Sequence, residues 1–318
     1  MYKFYRELYN DGARFYITGV GTKDPKSGIE NPWYKGGNTA DLANSLTGKE
    51  RIAYMIQKFQ GYAKTAQEEI IDIDVIGFSR GAAQGRDFVN QLVANTHNGN
   101  YTYKGSDGKQ VCHKVNFRFM GLWDTVLSTH TGSYNLTIPN SVKYVAQAVA
   151  VNEHRTLFPG ESIYASPSSD ASSAGVRNEV GFIGAHSDIG GGYGEGDLSD
   201  VALNWMYQQA KFAGVKLKPL PDKYQTVKSP IWHDSNTKTI GSGFDDSGDR
   251  KFRYQGGTWY NQKIAPVLGM NYSSSLPFLQ QYPTALADAH GNKILRGTID
   301  MKGYSAWLKM NYGLDIAY

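Results

Sequence analysis

Ile70-Ile71-Asp72-Ile73-Asp74-Val75-Ile76-Gly77-Phe78-Ser79-Arg80-Gly81-Ala82-Ala83 is the stretch on which the reading of this chain turns. The Ile- and Val-rich run from Ile70 to Ile76 predicts a central strand of a parallel sheet, with Asp72 and Asp74 alternating among its apolar residues. Gly77 to Gly81 fits the pattern G-x-S-x-G, in which small flanking residues let a strand turn sharply into a helix and hold the serine in a strained, exposed conformation. From Ala82 onward Phe88, Val89, Leu92 and Val93 recur at helical spacing. The pattern alone is common in a chain with 36 glycines, but a strand directly before and a helix directly after make Ser79 a candidate nucleophile. The amides at the start of that helix point toward a developing oxyanion, and Arg80 is the expected donor.

Working outward, the spacing of Ile52, Met55, Ile56 and Phe59 predicts a helix upstream, opened by a capping box of Thr47 and Glu50. Downstream the pattern predicts a strand over Val115 to Trp123, a helix near Val142 to Val151 and a strand over Val180 to Ala185. A helix from Asp200 follows, with Ser199 as N-cap and Gly214 as stop. Alternating strands and helices imply an α/β fold, a mostly parallel sheet with helices on both faces. The Gly- and Ser-rich stretches 98–109 and 166–175 read as surface loops, and the region after Lys216 has no clear period. A single domain over 1–318 is expected, with candidate lid segments near 98–109 and after 216.

The bulk properties narrow the function. With 40% hydrophobic and 19% charged residues the 318-residue chain is a folded globular protein. A formal net charge of +4, spread without a Lys/Arg stripe, excludes nucleic acid as the expected partner and leaves transient contact with an anionic membrane surface open. Cys112 is the single cysteine, so no internal disulfide forms. The first residues carry Lys3, Arg6 and Glu7 and lack an apolar signal core, and no run reaches membrane-spanning length.

A serine hydroxyl needs a histidine to take its proton and a carboxylate to orient that histidine. His97, His113, His130 and His154 precede the third predicted strand and read as structural, leaving His186, His233 and His290. Two acids stand at strand ends, where sites of such sheets collect: Asp124 in Gly121-Leu122-Trp123-Asp124, and Asp188 in His186-Ser187-Asp188-Ile189-Gly190. In the order serine, acid, histidine, Asp188 pairs with the later His233, giving Ser79, Asp188 and His233; Asp124 with His186 is the rival pair. No metal site has ligand spacing and no cofactor is expected, although Asp188, Glu195, Asp197 and Asp200 are a candidate calcium set.

Taken in order, Gly77-Phe78-Ser79-Arg80-Gly81-Ala82-Ala83, Gly121-Leu122-Trp123-Asp124-Thr125-Val126, His186-Ser187-Asp188-Ile189-Gly190-Gly191-Gly192-Tyr193 and His233-Asp234-Ser235 resemble an α/β-hydrolase domain family that includes type VI secretion phospholipase effectors. The resemblance extends over Tyr16 to Arg253. It implies a serine esterase or lipase that cleaves acyl esters of membrane phospholipids through an acyl-enzyme. The implied triad is Ser79, Asp188 and His233, with Trp123 and Asp124 shaping the site without joining the triad. It further implies a phospholipid substrate, an immunity protein or secretion-machinery partner, and a cytoplasmic origin with delivery to a target-cell envelope by a signal-peptide-independent route. Family members open with a strand ending in D-G-T that supplies part of the oxyanion hole. Here the first related motif is Gly19-Val20-Gly21-Thr22, so the N-terminal strand is expected to be missing: either Met1 begins a fragment of a longer protein, or that donor comes from another segment or chain. The reading from a different class is a non-catalytic hydrolase-fold interaction module lacking a complete oxyanion hole; an acyltransferase or peptidase using the same triad is a third.

Overall fold

The computed structural model describes residues 1–20, 47–127, 134–155, 158–165, 175–234, 250–255, 257, 259–261, 269–287 and 293–318. The apolar run around Ser79 forms strand β1 (Ile71–Phe78), followed with only Ser79 between by a helix over Arg80–Ala94. Upstream lies helix α1 (Gly48–Ala63), and the helix after the serine is α2. Strands β2 (Thr96–His97) and β3 (Asn100–Lys104) form an antiparallel hairpin on the first half of the long strand β4 (Gln110–Trp123). Strand β5 (Tyr144–Ala150), the short β6 (Gly160–Glu161) and β7 (Val176–Phe182) follow. The order β1-β4-β5-β7 is parallel throughout. The architecture is mixed α/β with a mostly parallel central sheet.

After β7 come α3 (His186–Gly190), α4 (Ser199–Phe212), α5 (Asp222–Gln225) and β8 (Ile231–Asp234). Strands β9 (Lys251–Arg253) and β10 (Trp259–Asn261) join β6 in a small sheet. Helix α6 (Tyr272–Ser275), strands β11 (Leu279–Ala287) and β12 (Lys293–Ile299) and helix α7 (Met301–Tyr312) complete the chain, with β8, β12 and β11 forming a third sheet.

Several sequence expectations need correction. The run 142–151 is not a helix: Tyr144–Ala150 is strand β5, and Val145, Ala146, Ala148, Val149 and Ala150 are all fully buried between β4 and β7. A continuous run of small apolar residues suits a strand covered on both faces as well as a buried helix, and period alone does not separate them. The stretch 98–109 is not a plain loop but carries β3 of the hairpin. The capping box at Thr47 does not form, because the Thr47 hydroxyl accepts from Nε of Arg51 at 3.1 Å instead. Leu198 rather than Ser199 precedes α4, while Gly214 does follow it with φ +81°. Of the expected loop 166–175, residues 166–174 lie outside the described residues, as do Gly21, Thr22, His130, Ser235 and His290.

Two apolar clusters sandwich the sheet. One packs Trp123, Ala148 and Phe182 against α4 and α7; the other packs Ile71, Ile73 and Met120 against α1 and α2. A bulge makes both possible: Ile73 pairs with Phe117 and Asp74 with Phe119, so Arg118 is the extra residue. Because side chains alternate along a strand, one extra residue sends Phe117 and Phe119 to opposite clusters. The displaced Arg118 donates to Asp72, Asp74 and Asp11, which accounts for the charged positions in an otherwise apolar strand.

Among the described residues β1 has one strand neighbour, β4. A cavity of about 380 Å³ is lined by every residue from Ile71 to Phe78, and also by Phe15 and Ile17. Consecutive strand residues point to opposite faces, so a cavity that touches all eight runs along the edge of the strand.

Candidate active site

The strand-to-helix corner holds Ser79 at φ 61° and ψ −135°, a conformation that costs an L-residue about 1–3 kcal/mol and persists only where neighbours enforce it. The enforcing contacts are visible. The Ser79 amide donates to the Trp123 carbonyl at 3.0 Å, and the Ala82 amide donates to the Ser79 carbonyl at 3.0 Å. The hydroxyl does not cap α2. Gly77 is sterically required, since a Cβ there would lie 2.6 Å from Cα of Ala82; a Cβ on Gly81 would meet nothing within 4 Å.

Two buried Asp–His pairs lie at the strand ends. Asp124 follows β4 directly and has φ +44°. Its carboxylate accepts from Nδ1 of His186 at 2.6 Å, from both terminal nitrogens of Arg250 at 2.7 and 2.9 Å, and from the Ala150 amide at 2.9 Å. Burial alone would raise its pKa, but the Arg250 guanidinium and the His186 hydrogen bond outweigh burial and hold Asp124 below the usual carboxylate range. Burial lowers the His186 pKa, with Asp124 offsetting only part of the effect, so the ring is neutral near pH 7. With Nδ1 on Asp124, the buried Nε2 has no hydrogen-bond partner among the described residues. The His186 ring packs on Phe78, the residue before Ser79, with centroids 4.5 Å apart.

The second pair joins α3 to β8. Asp188 accepts from Nδ1 of His233 at 2.7 Å, from the His233 amide at 2.9 Å and from the Ala185 amide at 3.0 Å. Burial raises the Asp188 pKa, and these hydrogen bonds offset it only in part. Tyr193 stacks on the His233 ring with centroids 3.8 Å apart.

Both pairs named from sequence are thus formed, and the ring contact to Phe78, the neighbour of Ser79, belongs to His186. The other acids of the candidate calcium set turn elsewhere: Asp197 accepts from the amides of Lys228 and Ser229, and Asp200 pairs with Lys3 at 2.5 Å. Among the described residues no group of three or more His, Cys, Asp or Glu is arranged to hold a metal ion. His113 is half-buried, and His154 lies against Tyr272. Four residues of the site were missed by sequence reasoning. Glu153 and Arg155 form an ion pair of their own, and the Glu153 carboxylate accepts from the His186 amide at 3.2 Å. Their spacing of two was the available signal. Tyr193 stood in the quoted third motif without a role, and Arg250 has no local signal because it meets Asp124 only in the fold.

The fold and the site define a mixed α/β protein with a strained serine and paired Asp–His residues at the ends of parallel strands. Residues 90–209 match the family model described as the type VI secretion, phospholipase effector Tle1-like, catalytic domain. That segment contains Asp124, His186 and Asp188 and stops short of Ser79 and His233, so it is narrower than the span over which the motifs run. A crystal structure of an uncharacterized protein from Pseudomonas aeruginosa is 26% identical over 57% of this chain and 28% of that one, with a TM-score of 0.38. The Tle1 effector bound to the VgrG spike of the type VI secretion system is 20% identical over 58% of this chain and 56% of that one, with a TM-score of 0.39. The chain therefore spans well under two thirds of either protein's length. No curated protein matches the chain. Among the described residues no helix is long and apolar enough to cross a membrane.

Proposed function

We propose that the chain is a serine esterase that hydrolyses acyl esters of membrane phospholipids, with Ser79 as nucleophile, His186 as general base and Asp124 as the carboxylate that orients it. One observation carries the choice of base: a neutral, buried imidazole whose Nδ1 is engaged by Asp124 presents an unpartnered Nε2 beside the serine corner. In the acylation step Nε2 takes the hydroxyl proton while Oγ attacks the ester carbonyl. The tetrahedral oxyanion faces the start of α2, where the Arg80 amide is the proposed donor, and the imidazolium then protonates the leaving alcohol. Water, deprotonated by the same imidazole, releases the fatty acid. Arg250 keeps Asp124 ionised throughout, and a fixed negative charge beside Nδ1 stabilises the imidazolium.

The match of residues 90–209 to a phospholipase effector domain supports the lipid ester as substrate, while the strained serine between β1 of the parallel sheet and α2 is our ground for proposing the α/β-hydrolase arrangement as the fold. The match also supports transfer by a type VI secretion machine, with that machinery as partner and transient contact with the target membrane. The pairing of Asp188 with His233 keeps the alternative triad open to experiment. The deciding measurement is labelling by a fluorophosphonate probe together with release of fatty acid from phosphatidylglycerol vesicles. Ser79→Ala abolishes both, His186→Ala abolishes hydrolysis, and His233→Ala retains it. Wild-type protein that neither labels nor hydrolyses favours the non-catalytic module.

A further inference from the structure

Resting on the esterase reading above, we infer that Arg155 and Tyr193 form an anion-binding rim beside His186 that takes the headgroup phosphate of the lipid substrate. Arg155 is held rather than loose. Its Nε and Nη2 donate to Glu153 at 2.9 and 2.8 Å, and its guanidinium lies 3.5 Å over the Phe158 ring. Phe158 in turn packs edge-on against His186 with centroids 5.0 Å apart, and Glu153 accepts from the His186 amide. The guanidinium is therefore fixed one ring away from the proposed base. Its side chain is 19% exposed, so it reaches the rim of the site.

Tyr193 lies on the second Asp–His pair. Its ring is stacked on His233 and half-buried, and its hydroxyl lies within the electrostatic reach of Asp188, Arg155 and Glu153. Burial and the Asp188 charge push its pKa far above the ordinary phenol range, so it is a donor at neutral pH. Among the described residues neither Nη1 of Arg155 nor the Tyr193 hydroxyl has a hydrogen-bond partner. Arg250 cannot serve this purpose, because it is almost fully buried and both its terminal nitrogens are spent on Asp124.

Two unpartnered donors at one rim suit an anionic oxygen acceptor, and a phospholipid carries one only a few bonds from its scissile carbonyl. A neutral glyceride offers these donors only uncharged ester oxygens, which are weaker acceptors for a guanidinium than a phosphate oxygen, and that difference disfavours it. The rim is thus a selectivity device for charged over neutral lipid esters.

The test measures binding in the Ser79→Ala protein, which separates recognition from turnover. Titration with monomeric dihexanoylphosphatidylcholine and, separately, with tributyrin is followed by calorimetry in the Ser79→Ala background and with Arg155→Gln or Tyr193→Phe added. The expected result is a Kd for the phospholipid weakened roughly tenfold or more by each substitution, with tributyrin binding unmoved. Arg155→Gln leaves Glu153 without its cation, so a lowered melting temperature is anticipated there. Tyr193→Phe removes only an oxygen and carries the test if the first variant does not fold. Unchanged phospholipid binding, equal weakening for both ligands, or no phospholipid binding by the Ser79→Ala protein overturns the inference. Fluorophosphonate labelling of the wild type is read independently. A protein that fails to label yet shows the expected binding pattern retains the rim and loses the esterase reading.

Discussion

The two Asp–His pairs have nearly the same contact, 2.6 Å for Asp124 with His186 and 2.7 Å for Asp188 with His233, and opposite electrostatics. Asp124 has a guanidinium beside it and is held below the ordinary carboxylate range; Asp188 accepts from a ring nitrogen and two backbone amides and is raised by burial. A hydrogen bond of given length therefore does not fix what a pair is for. A carboxylate kept ionised by a cation stabilises an imidazolium that forms and disappears during turnover. One that accepts two backbone amides and a ring nitrogen ties α3 to β8, and α3 begins with His186 itself. On this view the second pair supports the first.

The largest expected effects test that division directly. His186→Ala is expected to lower kcat by about 10⁴-fold or more, and His233→Ala by less than about 10²-fold. Reversal of that order in steady-state kinetics would transfer the role of base to His233. Asp124→Asn is expected to cost about 10⁴-fold in kcat and also to destabilise the fold by about 3–5 kcal/mol, because Arg250 is left buried without its counter-charge. Asp188→Asn should lower stability by about 1–3 kcal/mol in urea unfolding with a smaller change in kcat.

A finer test uses pH. Asp124 has a folded pKa below its unfolded one, so the stability it contributes is present above about pH 4 and is lost as pH falls through the folded value. Asp188 has a folded pKa above its unfolded one, so its contribution is greatest below about pH 4 and is lost as pH rises through the folded value. The stability differences between wild type and Asp124→Asn or Asp188→Asn should therefore change with pH in opposite senses; parallel trends would erase the distinction. Since burial lowers the His186 pKa, the acid limb of kcat/KM should fall below about 6.5.

The last contrast lies within the serine corner itself, and its Gly81 arm has the smallest expected effect. Gly77→Ala drives a methyl into the backbone of α2 and should leave little folded protein, whereas Gly81→Ala fills open space and should shift the melting temperature by only a degree or two. Equal losses would mean that the corner needs both glycines for a reason other than space.

Much of this was legible along the chain where the signal was local. The strand, turn and helix around Ser79 follow from period and from Gly77, and the two acids were found because each comes shortly after a run that reads as a strand. What stayed hidden depends on distant contacts. The run 142–151 becomes β5 because β4 and β7 flank it, and nothing within it says so. The order of residues favoured Asp188 with His233, and it could not reveal that the fold brings Asp124, His186 and Arg250 from three separate regions to one point. Arg118 likewise explains Asp72 and Asp74 only once the bulge is seen.

The free side of β1 has a consequence of its own. In a parallel pair alternate amides of a strand point toward its neighbour, so about half of those in Ile71–Phe78 are directed at β4 and the rest at the cavity. Amide hydrogens along this one strand should then exchange with solvent deuterium in an alternating fast and slow pattern, since among the described residues the segment leading to the serine has a strand partner on one side, β4.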